Sequence, residues 1–183
     1  MIIKSKEIKL KNNKTVLFRA AVVSEALDLL HLVNDCSIET DFMLRSPGET
    51  DLNDIKAEEQ WINSINNSQK EFMFCAYIDG ELAGNTGISL PHNLIKEKHR
   101  GMLGIGLRKK FWNQGLGTEM IKYVEENAKK IGFEQLELDV FSTNERAIHV
   151  YRKSGFKETG IIPHGYKLSS GIYADKILMV KFL

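Results

Sequence analysis

Residues 99–118 have the sequence HRGMLGIGLRKKFWNQGLGT, which joins a glycine-bearing strand to the start of a helix. Residues 99–107 predict the strand, and the apolar periodicity of 118–131 predicts the helix. Gly115 and Gly117 allow a tight turn whose backbone amides stay uncovered. Together with the free N–H groups of the first helical turn, these amides form a suitable site for a phosphate group. Lys109, Lys110 and Gln114 can add positive charge and hydrogen-bond donors there. Taken alone, the segment fits an ordinary glycine-rich turn from strand to helix at least as well.

The strand itself contains three glycines, Gly101, Gly104 and Gly106. Glycine weakens a strand, so this density indicates a bulge, or the close approach of a ligand or another backbone. A helix packed tightly across the strand is the alternative explanation. With the phosphate loop, the glycines predict a slot in which an extended ligand lies along the strand.

The flanking sequence predicts one α/β or α+β sheet with helices on both faces. Strands are predicted at 14–20, 72–78, 82–90, 133–141, 156–161 and 173–182, and helices from Ser24, at 51–65 and at 144–154. Asp79–Gly80 is a strong hairpin signal. For the last helix, residues 142–145 predict a capping box, and Gly155–Phe156 predicts a Schellman end with Phe156 packed near Tyr151.

The last helix carries the pattern Asn144-x-x-Ala147-x-x-x-Tyr151-x-x-x-Gly155-Phe156. Asn144 and Tyr151 lie two helical turns apart and therefore project from the same face. At this spacing the asparagine can bond an amide-bearing ligand while the tyrosine reaches the ligand's far end. Taken singly, Asn144 is equally a helix-start residue, and Tyr151 a half-buried core aromatic.

These elements, in this order, resemble the acetyl-CoA-binding half of the GNAT superfamily of N-acetyltransferases, over residues 99 to 160. The family's first motif is (Arg/Gln)-x-x-Gly-x-(Gly/Ala), and Gly115 and Gly117 match its small positions. Trp112 replaces the Arg or Gln, which is similar to a branch with Trp-x-x-Gly-x-(Gly/Ala)-Thr-Glu that includes ribosomal-protein acetyltransferases. The second motif is matched at Asn144, Ala147, Tyr151, Gly155 and Phe156.

The resemblance implies the acyl-CoA N-acyltransferase fold, a mixed and mostly antiparallel central sheet flanked by helices on both faces. It also implies acetyl-CoA as cosubstrate, no metal, and direct attack of a primary amine on the thioester. Tyr151 is the implied general acid, because its reference pKa of ~10 lies above the thiol's ~8.5. The residues implied to bind acetyl-CoA are Ile105, Leu107, Asn113, Gln114, Gly115, Leu116, Gly117, Thr118 and Asn144.

The general base is not apparent in the sequence. Related enzymes often carry a glutamate on the glycine-bearing strand, but residues 100–108 contain no acidic side chain. Glu39, Asp41, Asp139 and His99 are the candidates, and none is assigned. By resemblance the acceptor site lies around residues 36–49, 90–95 and 162–172. The acceptor is a small-molecule amine or a protein N-terminus, and a homodimer fits the family.

Composition restricts the remaining classes. The 183 residues carry 25 Lys and Arg against 24 Asp and Glu, so no overall field favours nucleic acid or a membrane surface. Cys36 and Cys75 are too few for a disulfide framework. Lys9 and its lysine neighbours at 4, 6 and 11 indicate the solvated side of an edge segment. We expect one cytoplasmic domain over 1–183. Met120 occupies the third small position of a dinucleotide fingerprint, which disfavours a Rossmann domain, while a non-catalytic CoA-binding regulatory domain remains the alternative.

Overall fold

The computed structural model describes residues 1–183 and contains one eight-stranded sheet. The strands are β1 (Lys6–Lys9), β2 (Thr15–Arg19), β3 (Phe72–Ile78), β4 (Glu81–Ser89), β5 (Arg100–Leu107), β6 (Gln135–Phe141), β7 (Lys157–Lys167) and β8 (Tyr173–Phe182). The helices are α1 (Ala26–Glu39), α2 (Ile55–Asn67), α3 (Leu116–Ile131) and α4 (Glu145–Lys153). The strand order is β1-β2-β3-β4-β5-β6-β8-β7, and β5–β6 is the one parallel pair. None of the helices is long and apolar enough to cross a membrane.

The two faces of the sheet bury different helices, as alternation along β3 shows. Phe72 and Phe74 belong to a cluster of 27 buried apolar residues that also takes in the apolar face of α3. Met73 and Cys75 point the other way, into a cluster of nine with residues of α1 and α2. Successive side chains of a strand alternate between faces, so this run packs helices on both sides. The predicted mixed, mostly antiparallel sheet with helices on both faces is confirmed.

The parallel pair β5–β6 is short, and this feature creates the site. Its register covers only Arg100–Met102 opposite Gln135–Glu137, after which the two strands no longer pair. The Arg100 guanidinium donates two hydrogen bonds, of 2.5 and 2.7 Å, to the Glu137 carboxylate and so links the two strands where they pair. From Leu103 to Leu107, β5 is paired with β4 alone, so its other edge faces an opening between the strands.

The glycines of β5 do not mark a bulge, because the β4–β5 register is continuous. At Gly101 a Cβ would lie 2.7 Å from Cγ2 of Ile88, so glycine is required there by neighbouring side chains. That close approach involves neither a ligand nor a helix. At Gly104 an added Cβ would meet nothing within 4 Å, so that position opens onto free space.

Helix α3 begins at Leu116, earlier than the predicted Thr118. The reason is Gly115, which adopts φ 83° and ψ −2° as the N-cap and so turns the chain directly into the helix. The predicted capping box at residues 142–145 is wrong. Asn144 is the N-cap of α4, and its side chain accepts from the Ala147 amide at 3.2 Å. Ser142 Oγ instead accepts from the amide of Asp175, also at 3.2 Å.

Two further differences concern the edges of the sheet. Strand β1 has only four residues, and every second one is exposed. The sequence pattern therefore indicated a solvated edge segment and did not predict a strand there. Strand β7 continues to Lys167, beyond the predicted end at 161, because a register shift between Ile162 and Tyr166 interrupts its pattern. The predicted end of α4 is confirmed. The Phe156 amide donates to the Tyr151 carbonyl at 3.0 Å, and the two rings lie 5.9 Å apart.

Candidate active site

The opening between β5 and β6 is a cleft of about 360 Å³. Its walls come from β5, β6, α3, α4 and the segment after α1, and they are mostly apolar. The sequence-predicted residues that line it are Ile105, Leu107, Gly117, Asn144 and Tyr151. The cleft thus brings together the two motifs that lie on either side of strand β6.

One end of the cleft meets the start of α3, where a run of backbone amides is free. None of the N–H groups from Asn113 to Thr118 donates a hydrogen bond within the protein, and the helix ladder begins with Glu119 N to Gly115 O at 3.2 Å. Asn113 (φ 61°) and Gly115 (φ 83°) are both left-handed, which turns successive amides to one side. Such a nest at a helix N-terminus binds anionic oxygens.

The predicted phosphate-loop residues contribute in different ways. Asn113, Gln114, Gly115 and Thr118 line a second cavity on the outer side of the loop. Leu116 is 1% exposed, so its side chain belongs to the core and only its amide faces the nest. A Cβ added at Gly117 would meet nothing within 4 Å, so the space beside the loop is open to a ligand.

The loop is anchored by Trp112, the residue at which the first motif departs from the family pattern. Its indole Nε1 donates to the Leu107 carbonyl at 2.8 Å. Its ring lies 4.2 Å from the guanidinium carbon of Arg146, a stacked cation–π contact that brings a positive charge to the rim of the cleft. Sequence reasoning missed Arg146, because its partner is 34 positions away.

The side chains of Lys109 and Lys110, which were predicted to add positive charge beside the amides, and of their neighbour Arg108 lie away from the loop cavity. Arg108 pairs with Asp35 at 2.6 Å, and Lys110 pairs with Glu81. The Lys109 amide donates to the Glu39 carboxylate at 2.6 Å, which ties α1 to the end of β5. The charges of Arg108 and Lys110 therefore join elements of the fold, whereas Lys109 does so through its backbone amide, and none of the three side chains lines the cavity beside the nest.

Tyr151 places a hydroxyl in the cleft with no hydrogen-bond partner in the protein. The residue is 8% exposed, and its ring packs edge-on against Phe156. Burial, together with the nearby carboxylate of Asp139, raises the pKa of the Tyr151 hydroxyl well above its usual value. The group is therefore a protonated donor at neutral pH. Asn144 also lines the cleft; its Oδ1 accepts from the Ala147 amide as the helix cap, and its Nδ2 forms no hydrogen bond within the protein.

Of the four candidate bases, Asp139 alone lines the cleft. Its carboxylate accepts from the Tyr166 hydroxyl and lies 3.5 Å from Lys176 Nζ. Sequence reasoning did not single out Tyr166, which lies in the stretch 162–172 expected around the acceptor, beyond the predicted strand end at 161. Aromatic stacking of Tyr166 on Phe141, with ring centroids 3.7 Å apart, holds its hydroxyl over Asp139.

The remaining three candidates lie elsewhere. Glu39 is bonded to the Lys109 amide, and His99 stands before the paired end of β5, where its carbonyl accepts from the amide of Glu134. Asp41 lines a separate cavity of about 290 Å³ between the segment after α1 and the β7–β8 hairpin. Of the three stretches expected around an acceptor, 36–49 and 162–172 therefore meet, while 90–95 does not line that cavity.

Both cysteines are buried outside the cleft. Burial raises the pKa of Cys36 and that of Cys75 to about 12, so both thiols are protonated at neutral pH. A thiol in that state is a poor nucleophile, which disfavours a covalent cysteine intermediate. No group of three His, Cys, Asp or Glu side chains is placed to hold a metal ion.

Comparison with known proteins agrees with this architecture. Residues 35–156 match the model of the acetyltransferase (GNAT) family. The chain is 30% identical to an acetyltransferase of the GNAT family from Streptococcus pneumoniae, and the two structures superpose with a TM-score of 0.86. That superposition covers 92% of this chain and 99% of the other.

A structure of yncA from Salmonella typhimurium, described with its cofactor acetyl-CoA, is similar in fold. The TM-score is 0.80 at 15% identity, over 92% of this chain and 94% of that one. An N-alpha-acetyltransferase of Sulfurisphaera tokodaii is 31% identical over 104 residues, which are 51% of this chain and 60% of the relative. The alignments with the first two curated relatives span 43% and 60% of their lengths, less than two thirds in each case.

Proposed function

Because this chain belongs to the acetyltransferase (GNAT) family, which it matches over residues 35–156, we propose that it transfers the acetyl group of acetyl-CoA to a primary amine. The observation that carries the proposal is one continuous cleft with free backbone amides at one end and the unpartnered Tyr151 hydroxyl inside it. Similar proteins are named N-acetyltransferases, and a fold neighbour is described with acetyl-CoA.

The cleft fits the chemistry of acetyl-CoA. The amides from Asn113 to Thr118 match the charge of a diphosphate, and the helix dipole of α3 adds to that attraction. The unpaired edge of β5, around Ile105 and Leu107, can form strand-like hydrogen bonds with the two amides of the pantetheine arm. Asn144 Nδ2 supplies a further donor to that arm. Bound acetyl-CoA supplies the acetyl group as a thioester.

Tyr151 is proposed to act as the general acid. Its hydroxyl holds a proton because burial and the Asp139 carboxylate disfavour the phenolate. When the amine nitrogen forms its bond to the acetyl carbon and the carbon–sulfur bond breaks, the sulfur takes up a proton, and Tyr151 is placed to supply it. Asp139 is therefore a positioning residue, since it acts on the proton of Tyr151.

The amine is proposed to lose its own proton to solvent. Asp139 is the one acidic side chain that lines the cleft, and its carboxylate accepts a hydrogen bond from the Tyr166 hydroxyl and lies 3.5 Å from Lys176 Nζ. Each of its two oxygens therefore already has a partner in the protein. The acceptor approaches from the side of the segment after α1 and the β7–β8 hairpin, where Met43 and Tyr166 line both the cleft and the neighbouring cavity.

The proposal is tested by release of the CoA thiol from acetyl-CoA in the presence of primary amines of different size, including a peptide with a free N-terminus. We expect release that depends on the amine, and loss of CoA binding in Gly117→Leu, whose side chain would fill the open space beside the loop. Tight CoA binding with no amine-dependent release from any acceptor would contradict transfer and favour a CoA-binding regulatory domain of the same fold.

A further inference from the structure

Two of the glycines in β5, Gly104 and Gly106, lie on the face of the sheet that packs against α1 and α2. Gly104 is paired with Gly87, and Gly87 with Met73, whose side chain belongs to the cluster of α1 and α2. Residues directly opposite one another in neighbouring strands share a face, and alternation along β5 puts Gly106 on the same face as Gly104. Neither glycine has a side chain, so this part of the sheet surface is bare.

The bare surface is the floor of a groove of about 380 Å³ between α2 and the sheet. We call it the α2 groove; its floor includes Gly104 and Gly106, and its walls include Trp61, Ile65 and Met43. Trp61 and Ile65 lie one turn apart on the same side of α2. The volume is in the range of sites that hold a small molecule or one of its substituents.

The α2 groove contains no charge. None of the residues that line it has an acidic, basic or histidine side chain. The Thr86 hydroxyl at its floor already donates to the Gly104 carbonyl at 2.7 Å. An unpaired charged group would therefore lose its hydration here without gaining a partner, whereas an apolar group would gain free energy by leaving water. The neighbouring cavity differs, because it is lined by both acidic and basic side chains, namely Asp41, Arg45, Glu49 and Lys167.

Trp61 offers the largest apolar surface at the α2 groove. It is 43% exposed, although the next residue, Ile62, is completely buried in the core. An aromatic ring left open at the edge of a concave site is available for contact with a ligand. Removing this ring would change the groove and leave the core beneath α2 intact.

The α2 groove is continuous with the cleft of the candidate active site. Met43, Met102, Gly104 and Ile105 line both of them. From β5 the groove extends over β4, away from the unpaired edge of β5 along which we place the pantetheine arm. A molecule with its amine in the cleft can therefore reach the groove across Gly104, which makes the acceptor amine the occupant that fits.

We propose that the α2 groove holds an uncharged, apolar side chain next to the acceptor amine, and that Trp61 is the residue that determines this preference. The inference rests on the proposed function and names its acceptor class. That class is a primary amine whose neighbouring substituent is aliphatic or aromatic. Polyamines and aminoglycosides are disfavoured, because their additional amines are charged at neutral pH.

The α-amides of phenylalanine, leucine, arginine and glutamic acid test the proposal, since they share one α-amine and differ in the side chain. Thiol release from acetyl-CoA gives kcat/KM for each. We expect phenylalaninamide and leucinamide to exceed the arginine and glutamic acid amides by about tenfold or more, because small differences in apolar contact already give discrimination of that size.

Substitution of Trp61 by glutamate should change the order of the four amides. The Trp61→Glu variant is expected to lose about tenfold in kcat/KM for phenylalaninamide through a higher KM, and to gain activity with argininamide, because the new carboxylate pairs with the guanidinium. Damage to the fold would lower both values, so the gain distinguishes specificity from structure. Asn63→Glu is the matched control, since Asn63 is exposed on α2 outside the groove.

The outcomes separate the inference from the proposed function. Equal kcat/KM for the four amides, or turnover of spermidine in place of all four, would overturn the inference and leave acetyl transfer standing. An unchanged order of the amides in Trp61→Glu would overturn the assignment to Trp61. Binding of CoA without thiol release by any amine would contradict the proposed function itself, and the inference with it.

Discussion

The indole nitrogen of Trp112 donates a 2.8 Å hydrogen bond to the carbonyl oxygen of Leu107, across the turn that leads into α3. The bond fixes the end of β5 to the start of the amide nest. The ring of Trp112 meanwhile stacks with Arg146, which carries a guanidinium to the same rim. A tryptophan in the first motif thus keeps a positive charge near the loop without supplying it directly.

Replacement of Trp112 by phenylalanine should weaken CoA binding about fivefold, because one hydrogen bond contributes about 1 kcal/mol. Phenylalanine keeps an aromatic face for Arg146 and removes only the donor. Calorimetry measures the change in Kd. The matched control is Trp61→Phe, since Trp61 is 43% exposed on α2 and does not line the cleft. Equal effects of both substitutions would contradict a specific role for the Trp112–Leu107 bond.

Replacement of Tyr151 by phenylalanine should lower kcat by about 10²–10⁴-fold, the usual contribution of a general acid, and leave CoA affinity unchanged. The hydroxyl has no partner within the protein, so its removal leaves no buried group unsatisfied. Steady-state kinetics and calorimetry separate the two quantities. Tyr173→Phe serves as control, because Tyr173 is 51% exposed and lies outside the cleft. An unchanged kcat in the Tyr151→Phe variant would show that Tyr151 is not the general acid.

The dependence of kcat/KM on pH should be set by the pKa of the acceptor amine. If solvent takes the proton, kcat/KM rises about tenfold per pH unit below the pKa of the amine and levels off above it. An amine of lower pKa should therefore level off at lower pH. The Asp139→Asn variant should keep the rise of kcat/KM with pH, since we do not propose Asp139 as the base. If kcat/KM instead levelled off at the same pH for every amine, a group of the protein would be accepting the proton.

The free energy of unfolding should fall as pH rises above about 9. Cys36 and Cys75 keep their protons up to a pKa of about 12 in the folded state, whereas unfolded thiols lose them near 8.5. At pH values below the thiol pKa of the unfolded state, the two thiols make their full contribution to the free energy of unfolding. This contribution is lost as the pH rises toward the thiol pKa of the folded state. Each thiol contributes a slope of about −1.4 kcal/mol per pH unit in that window.

Urea unfolding at several pH values between neutral and alkaline measures this slope. Cys75→Ala is expected to lower stability at neutral pH through the cavity it leaves, and also to flatten the alkaline slope. The second effect distinguishes titration from packing. An unflattened slope would mean that the buried Cys75 thiol does not titrate with the raised pKa described above.

Local patterns predicted the parts of the site that lie within a few residues of one another. The stretch 99–118 and the α4 motif carry their own turn, cap and spacing signals, and the structure brings both to one cleft. The contact between Tyr151 and Phe156 follows from the helix ending alone. Such features depend on helical geometry, which the sequence encodes directly.

The missed features depend on which strands become neighbours. Tyr166 reaches Asp139 because β8 lies between β6 and β7 in the sheet and β7 is longer than its interrupted pattern indicated. The lysines at 9 and 11 meet Lys153 only after β1 and β2 join the edge of the sheet and the turn bonds to Gln114. Distant pairings of this kind are set by topology, and periodicity carries no signal for them.

Acetyl transfer is tested most directly by following both products of one reaction that contains the protein, acetyl-CoA and a primary amine. Mass spectrometry measures the acetylated amine while a thiol reagent measures free CoA. We predict one acetyl group on the amine for each thiol released, with both products lost together in the Tyr151→Phe variant. Thiol release without acetylated amine, or tight CoA binding with neither product, would contradict it.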